Sequence, residues 1–135
     1  MSQRTLVLIK PDAVRRGLVG EVLCRFEAKG LTIVAMEQRR IDGELADVHY
    51  AEHVERDFYP PLRKFVTSGP MVSLVLEGDE AVEVVRAING ATDGRKAAPG
   101  TIRGDLSLSN RENLVHGSDS VESAKREIEI WFPNL

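Results

Sequence analysis

The run Thr5-Leu-Val-Leu-Ile9 is apolar over nearly its whole length, and the triplet Lys10-Pro11-Asp12 ends it. A strand with one face in water alternates apolar and polar residues, whereas an unbroken apolar run is typical of a strand buried on both faces. Met71-Val-Ser-Leu-Val-Leu76 is a second run of strand length. The sequence therefore predicts a strand in the interior of the protein near its N-terminus and a further strand at 71–76.

Helical and extended patterns alternate along the rest of the chain. Apolar residues recur at helical spacing from Val19 to Lys29, and Gly30 is a typical C-terminal stop. The other predicted elements are a strand around Thr32–Ala35, helical segments over 44–53 and 61–67, a helix capped by Asp79, a strand at Leu114–Val115 and a helix over Val121–Trp131.

Apart from the two helical segments in the middle of the chain and the final helix, this order is βαββαβ. That order is the ferredoxin-like arrangement of the α/β (α+β) class, in which helices pack on a four-stranded antiparallel sheet. No linker-like stretch interrupts the sequence, so we expect residues 1–135 to form a single domain.

Composition narrows the classes of function. The net charge is −3, whereas a general nucleic-acid binder usually carries a basic excess, so nucleic acid is not an expected partner. An anionic ligand would have to bind a local cluster of cations. The one cysteine, Cys24, lies in a helical apolar pattern and cannot form an internal disulfide. The apolar run near the N-terminus is too short for a signal peptide or a membrane span, so we expect a soluble, cytoplasmic protein.

One histidine lies in the polar stretch Asn113-Leu-Val-His-Gly-Ser-Asp-Ser120. The apolar pair before His116 predicts a short buried strand, and the small polar residues after it predict the start of a helix. An imidazole held between a strand and a helix start is well placed to act as a nucleophile or a general base. The alternative is a core histidine whose ring nitrogens are hydrogen-bonded by their neighbours.

Glu127 falls on or beside the inward face of the last predicted helix, three residues after the apolar Ala124. A carboxylate there is costly unless it accepts a strong hydrogen bond, and an N–H of the His116 ring is a suitable donor. Such a bond would fix the tautomer of the ring and stabilise positive charge on it. The alternative is a carboxylate that reaches water at the helix edge. Asp119 and Glu122 are predicted as the N-cap and N3 residues of this helix.

Three cations stand at or near the ends of predicted elements, where ligand-binding residues are common. Lys10 follows the first strand, Arg86 lies on the helix after the third strand, and Arg103 closes a long loop rich in glycine and charge. Each alone is more typical of a solvated surface charge. Together with Thr92 and Asn113 they would form a group of donors suited to a polyphosphate.

The stretch Asn113-Leu-Val-His-Gly-Ser-Asp119 resembles the active-site signature of the nucleoside diphosphate kinases. Other blocks of that family occur in the same order: Thr5-Leu-Val-Leu-Ile-Lys-Pro-Asp12, His49-Tyr50, Ser68-Gly-Pro70, Pro99-Gly-Thr-Ile-Arg-Gly-Asp105 and Glu127-x-x-x-Trp131-Phe132. The resemblance extends from Thr5 to Phe132. It implies transfer of the γ-phosphate of a nucleoside triphosphate to a nucleoside diphosphate, by a ping-pong mechanism with broad base specificity.

The resemblance also implies a role for each matching residue. His116 would attack through Nδ1 and carry the phosphoryl group, with Glu127 on the other ring nitrogen and with Ser118 and Tyr50 in support. Phosphates would be bound by Lys10, Arg86, Thr92, Arg103 and Asn113, of which Asn113 would also contact the sugar, and the base would pack on Phe58 and Leu62. Mg²⁺ would bridge the phosphates with little or no direct ligation by the protein. The family is usually hexameric, with tetramers in some bacteria, and we favour a homohexamer.

Some positions depart from the family's pattern. Asp93-Gly94 stands where the family commonly has Asn-Pro or Asp-Pro in a loop that helps to join subunits. Because glycine raises the entropy of the free loop, we expect a less stable assembly. Phe58-Tyr-Pro-Pro61 replaces the usual sequence around the base, and Asn110 stands where some members have a small apolar residue.

Three other functions fit parts of the sequence. His49-Tyr-Ala-Glu52-His53 matches the H-x-x-E-H zinc motif of a class of metallohydrolases, with Glu122 as a conceivable third ligand. A nucleotide-binding sensor without catalysis would use the same scaffold. A histidine phosphocarrier would need His116 but no base-binding residues.

Overall fold

The computed structural model describes residues 2–135 and contains a four-stranded sheet in the order β2-β3-β1-β4, with every neighbouring pair antiparallel. The elements, in chain order, are β1 (Ser2–Ile9), α1 (Pro11–Arg15), α2 (Val19–Lys29), β2 (Thr32–Arg39), α3 (Gly43–His49), α4 (Tyr59–Val66), β3 (Met71–Asp79), α5 (Ala81–Asn89), α6 (Ile102–Leu106), β4 (Val115–Gly117) and α7 (Val121–Trp131). The strands, α2 and α5 follow the order βαββαβ, so the predicted ferredoxin-like fold is confirmed.

The central strand β1 is buried on both faces, as its apolar run predicts. Val7 and Ile9 belong to the core on one side of the sheet, which α2 and α5 cover. Leu6 and Leu8 belong to the core on the other side, where α3, α4 and Trp131 of α7 pack. Burial of one such side chain contributes about 1.5–3 kcal/mol to the free energy of unfolding. Because β1 has buried side chains on both faces, both helical layers pack against it.

The helix predicted over 44–53 ends earlier, because α7 supplies partners for its last carbonyls. The guanidinium of Arg126 donates to the main-chain oxygens of Val48 and His49. A continuing helix would need the His49 carbonyl for the N–H of His53, which instead donates to the carbonyl of Tyr50 at 2.7 Å. The chain therefore forms turns after α3.

Two predicted N-caps are wrong. The N-cap of α5 is Glu80, in the left-handed region at φ 50°, rather than Asp79. The N-cap of α7 is Ser120, whose hydroxyl accepts from the N–H of Ser123, rather than Asp119. Glu122 is consequently the second residue of α7 and not its N3 residue.

The five-residue helices α1 and α6 were not predicted from the sequence. Helix α6 begins where Thr101 accepts from the N–H of Gly104, and its Asp105 binds Arg25 of α2 at 2.8 Å. Cys24, in an apolar pattern by sequence, is exposed on α2. No helix within residues 2–135 has the length and apolarity needed to cross a bilayer.

Candidate active site

A cavity of about 1080 Å³ lies beside the end of β4 and is lined by side chains from both halves of the chain. It brings together these residues that the sequence singled out: Lys10, Tyr50, Phe58, Leu62, Arg86, Thr92, Arg103, Asn113, His116 and Glu127. Ser118 is fully buried and does not line the cavity, but it is bonded to Glu127 behind it. The predicted residues therefore share one site.

His116 lies inside β4, opposite Leu8 of β1, and not after a strand as the sequence suggested. Leu114, just before β4, has φ 73°, which is uncommon for a branched residue. Its buried side chain and two bonds hold it there: Leu114 N–H donates to Asp12 Oδ2 at 3.1 Å, and Val115 N–H donates to the Asn113 carbonyl at 2.8 Å. This turn aims β4 so that the His116 ring reaches the cavity.

His116 and Glu127 form the hydrogen bond that helical spacing predicts. Nε2 of His116 is 2.9 Å from Oε1 of Glu127, and Ser118 Oγ donates to the same oxygen at 2.7 Å. Ser118 Oγ in turn accepts from the main-chain N–H of Leu6 in β1. Burial raises the pKa of Glu127, but the hydrogen bonds from His116 and Ser118 and the electrostatic interaction with His116 outweigh burial and leave that pKa below its ordinary value. The ionised carboxylate therefore holds the proton of His116 on Nε2.

Lys10 is buried and lines the cavity. Its ammonium donates to Oδ1 of Asn113 at 2.9 Å. Burial and the charge of Arg103 lower the pKa of Lys10 from 10.5 to about 8, against the opposing effect of Asp12. A bound anion would raise the pKa of Lys10 again by stabilising its charged form. The position of Lys10 therefore favours a negatively charged ligand.

The two arginines that the sequence singled out, Arg86 and Arg103, are held differently. Arg103, on α6, donates to three main-chain carbonyls, those of Gly90, Asn113 and Val115, at 2.8, 3.2 and 2.6 Å. Burial and the charge of Arg86 lower the pKa of Arg103 to about 10. Arg86, on α5, is exposed, and its side chain has no hydrogen bond or ion pair within residues 2–135, so its guanidinium is available to a ligand.

The loop between α5 and α6 is tied to the site by Asn113, whose amide nitrogen donates to the carbonyls of Thr92 and Asn110 at 3.2 and 2.9 Å. At Gly94 an added Cβ would lie 2.3 Å from the carbonyl oxygen of Ser107. Gly94 is thus buried in a close packing contact. The expectation of a less stable assembly considered only the entropy of the free loop and not this contact.

Aromatic and apolar side chains form another part of the cavity wall. Phe58 is 44% exposed, its ring lies 5.3 Å from that of His53, and Leu62 is half-buried one turn further along α4. Tyr50 packs edge-on against His49 with ring centroids 4.5 Å apart. Phe58 and Leu62 offer apolar surfaces without hydrogen-bonding groups, so this part of the wall suits a flat ring of any substitution pattern.

The contacts of His49 in the site were not predicted from the sequence. Its ring is buried between those of Trp131 and His116, and Nδ1 accepts from Nε1 of Trp131 at 3.0 Å. The helical spacing of the apolar residues in α7 could have indicated that Trp131 faces inward, but nothing local indicates its partner.

The metal motif that the sequence suggested is not assembled. Within residues 2–135 the one group of potential ligands with atoms close together is His49, His116 and Glu127, and it includes neither Glu52 nor His53. His49 ends α3 and His53 lies in the turns after it, so the two are not on one helix face.

Taken together, the cavity presents an imidazole bonded to a carboxylate, a cluster of cations and an apolar wall. Such a site is suited to phosphoryl transfer from a ligand that carries both a polyphosphate and an aromatic base, since phosphoryl transfer needs positioning and charge neutralisation more than covalent chemistry by the protein. These features define a nucleotide phosphotransferase.

Comparison with known proteins agrees with this class. The family model described as nucleoside diphosphate kinase matches residues 3–135. A nucleoside diphosphate kinase of a Nocardioides species is 78% identical over 135 residues, with full coverage of both chains, and one of Rhodococcus erythropolis is 62% identical over 136 residues, covering 100% of this chain and 98% of the relative.

Solved structures are also similar. The halophilic nucleoside diphosphate kinase of Halobacterium salinarum in complex with CDP superposes with a TM-score of 0.96 at 47% identity, covering 99% of this chain and 90% of that one. That of Encephalitozoon cuniculi gives 0.94 at 37% identity, covering 96% and 88%. The chain belongs to the nucleoside diphosphate kinase family. It transfers phosphate between nucleoside tri- and diphosphates, a reaction that needs a divalent metal, and the zinc-hydrolase and sensor alternatives are not favoured.

Proposed function

We propose that His116 is the nucleophile of this phosphate transfer and carries the phosphoryl group between two nucleotides. The observation that carries the proposal is the 2.9 Å bond from Nε2 to Glu127, on a ring that lines the cavity and whose Nδ1 has no hydrogen-bond partner among residues 2–135. With its proton on Nε2, the imidazole has a lone pair at Nδ1 and can attack without first losing a proton.

The two half-reactions are the reverse of one another. In the first, Nδ1 of His116 bonds to the γ-phosphorus as the bond to the β,γ-bridging oxygen breaks, and the nucleoside diphosphate leaves with that electron pair. In the second, a terminal phosphate oxygen of another diphosphate attacks the phosphorus, and Nδ1 recovers the electron pair of the N–P bond. Glu127 stabilises the positive charge that the ring bears in between, with Ser118 holding the carboxylate.

The cations and amides of the cavity are proposed as the phosphate site. Lys10, Arg86 and Arg103 neutralise charge on the transferring group, and Asn113 and Thr92 complete the set of donors, with Asn113 also in reach of the sugar. Arg103 is held by three carbonyls, so it is preorganised, whereas exposed Arg86 can follow the ligand. Phe58 and Leu62 pack on the base, and because any base has an apolar face, base discrimination is small.

Mg²⁺ is the metal we propose, bound to the phosphates of the nucleotide. The donor set around Lys10 consists of ammonium, guanidinium and amide groups, and the carboxylate of Glu127 already accepts two hydrogen bonds. These residues fit a metal that arrives on the nucleotide and has little or no direct protein ligation, since Mg²⁺ keeps several waters and takes its other oxygen ligands from the phosphates. When bound, Mg²⁺ neutralises phosphate charge as it develops.

We also propose one domain, a cytoplasmic location and a homo-oligomer, with a hexamer favoured over a tetramer. The family match over residues 3–135 supports the single domain. Met36 of the edge strand β2 is 51% exposed and Leu108 is 86% exposed, which supports contacts between subunits. Sedimentation equilibrium of the full chain tests the oligomer: a mass of six chains supports the hexamer, and a mass of four or fewer contradicts it.

The test of the nucleophile is His116→Ala. We expect transfer from ATP to GDP to fall by at least about 10⁴-fold, the order that loss of a nucleophile costs, while ADP still binds. Glu122→Gln is the matched control, because Glu122 is exposed on the first turn of α7 and was the conceivable third zinc ligand. This variant should keep full activity with or without a zinc chelator. Near-native transfer by His116→Ala would contradict the proposal.

A further inference from the structure

His49 is a buried imidazole with no assigned part in the phosphate transfer. It ends α3 with 5% of its surface exposed, and its ring meets that of His116 edge-on, with centroids 4.8 Å apart and planes at 80°. On another edge it meets Trp131, with centroids 5.6 Å apart and planes at 81°. The nucleophile is therefore packed against a second histidine that α7 holds in place.

Trp131 determines the tautomer of His49. An indole nitrogen can only donate, so the 3.0 Å contact from Nε1 requires an unprotonated Nδ1, and the neutral ring carries its proton on Nε2. Burial, together with the charges of His116, Arg126 and Lys10 and against that of Glu127, lowers the pKa of His49 to about 3. His49 is thus a neutral ring of fixed orientation at pH 7.

Two arginines hold this arrangement from outside. The guanidinium of Arg39 lies 4.8 Å from the centroid of the Trp131 ring, on its face. Arg126 donates to the carbonyls of Val48 and His49, so that the end of α3 is bonded to α7 through its main chain as well as through its imidazole. The same helix α7 carries Glu127, so one element orients both neighbours of His116.

We propose that His49 is a positioning residue for phosphoryl transfer: its ring, fixed by Trp131, holds the plane of the His116 imidazole so that Nε2 meets Glu127 while Nδ1 faces the phosphorus. In-line attack depends on this angle, because a small misplacement of a reacting group can cost about 10²-fold in rate. The inference rests on the proposed role of His116 as the nucleophile.

Metal binding is the competing role for this cluster, since ligand atoms of His49, His116 and Glu127 lie within 4.8 Å of one another. The bond from Trp131 argues against it. Nδ1 of His49 is occupied and Nε2 carries the proton, so this tautomer offers no free lone pair to a metal ion. Ring packing is the interaction that the geometry supports.

The first test measures the tautomer directly. ¹⁵N NMR of the full-length, histidine-labelled protein at pH 7 should show His49 as the Nε2–H form in the wild type. A Nδ1–H form would overturn the inference, because Trp131 could not then donate to that nitrogen.

The second test separates positioning from general damage. The rate at which ATP phosphorylates His116 is measured by rapid quench in His49→Ala and Trp131→Phe. We expect this rate to fall at least tenfold in both variants, while their affinity for ADP stays within about twofold of wild type. The matched control is Val48→Ala, the half-exposed neighbour on the same helix, which should phosphorylate at the wild-type rate. A normal rate in both test variants, or a proportional loss of rate and ADP affinity, would overturn the inference.

The two proposals fail in different ways. Absence of label from wild-type His116 would overturn the proposed function and this inference with it. A normally labelled wild type whose His49 and Trp131 variants react equally fast would overturn this inference alone.

Discussion

Lys10→Met is expected to change the pH dependence of stability. Burial and Arg103 lower the pKa of Lys10 from 10.5 to about 8, so between these values the unfolded chain holds a proton that the folded chain does not. Stability rises with pH wherever the unfolded state binds more protons. The cost of burying Lys10 is therefore complete below about pH 8, decreases between pH 8 and 10.5, and is absent above 10.5.

The size of this effect follows from the shift. A pKa lowered from 10.5 to about 8 corresponds to roughly 3 kcal/mol, at about 1.4 kcal/mol per unit. Methionine removes the ammonium and that cost, but it leaves Oδ1 of buried Asn113 without a donor, at about 1–3 kcal/mol. At pH 7 the two proteins should consequently differ little in stability. As the pH rises to 10.5, the free energy of unfolding of the wild type should increase by roughly 3 kcal/mol relative to that of the variant.

The assay is urea unfolding of both proteins at pH 7, 8, 9 and 10, at one protein concentration because any oligomer makes stability concentration-dependent. Lys64→Met, at an exposed position of α4, is the control and should show no such pH-dependent difference from wild type. A difference between wild type and Lys10→Met that stays constant with pH would refute the reasoning. In activity, Lys10→Met should lower kcat/KM for nucleotides by about 100-fold, since a charge-assisted contact to phosphate is lost.

Other substitutions test the remaining contacts. Glu127→Gln keeps the shape of the side chain but removes its charge, so the rate of His116 phosphorylation in a rapid-quench experiment should fall by about 10–100-fold, corresponding to about 1.4–2.7 kcal/mol; an unchanged rate would show that the charge is not used. Ser118→Ala leaves a buried main-chain N–H of β1 unpaired, and urea unfolding should give a loss of about 1–3 kcal/mol. Gly94→Ala places a Cβ 2.3 Å from the Ser107 carbonyl oxygen, so the variant should unfold at a lower temperature than wild type. An equal or higher Tm would contradict this and would show that the entropy of the free loop outweighs the packing contact.

The fold could be predicted because its signals are local. The apolar run of β1 gives that strand its type and its end, and the helical period of α2, with Gly30 in the left-handed region at φ 105°, gives that helix its type and bounds. The start of β1 at Ser2 lies three residues before the apolar run. Helix α6 could not be predicted in this way. It has five residues, too few to be stable alone, and depends on the distant contact from Arg25 to Asp105.

In the site, too, features with local signals could be predicted and features that depend on distant contacts could not. Glu127 could be placed against His116 from helical spacing, because a carboxylate on an inward face needs a donor. The position of His116 within β4 depends on the positive φ of Leu114, which the distant Asp12 supports, and no local pattern shows it. His49 reaches the site only through tertiary contacts, so its spacing suggested a metal motif instead.

The central claim is that His116 carries the phosphoryl group. The most direct measurement is to incubate the protein with γ-labelled ATP and Mg²⁺ without an acceptor, denature it, and locate the label. We predict acid-labile, alkali-stable label on Nδ1 of His116 that GDP or CDP discharges as labelled triphosphate. Protein that binds nucleotides and transfers phosphate yet never carries label on His116 would contradict the claim.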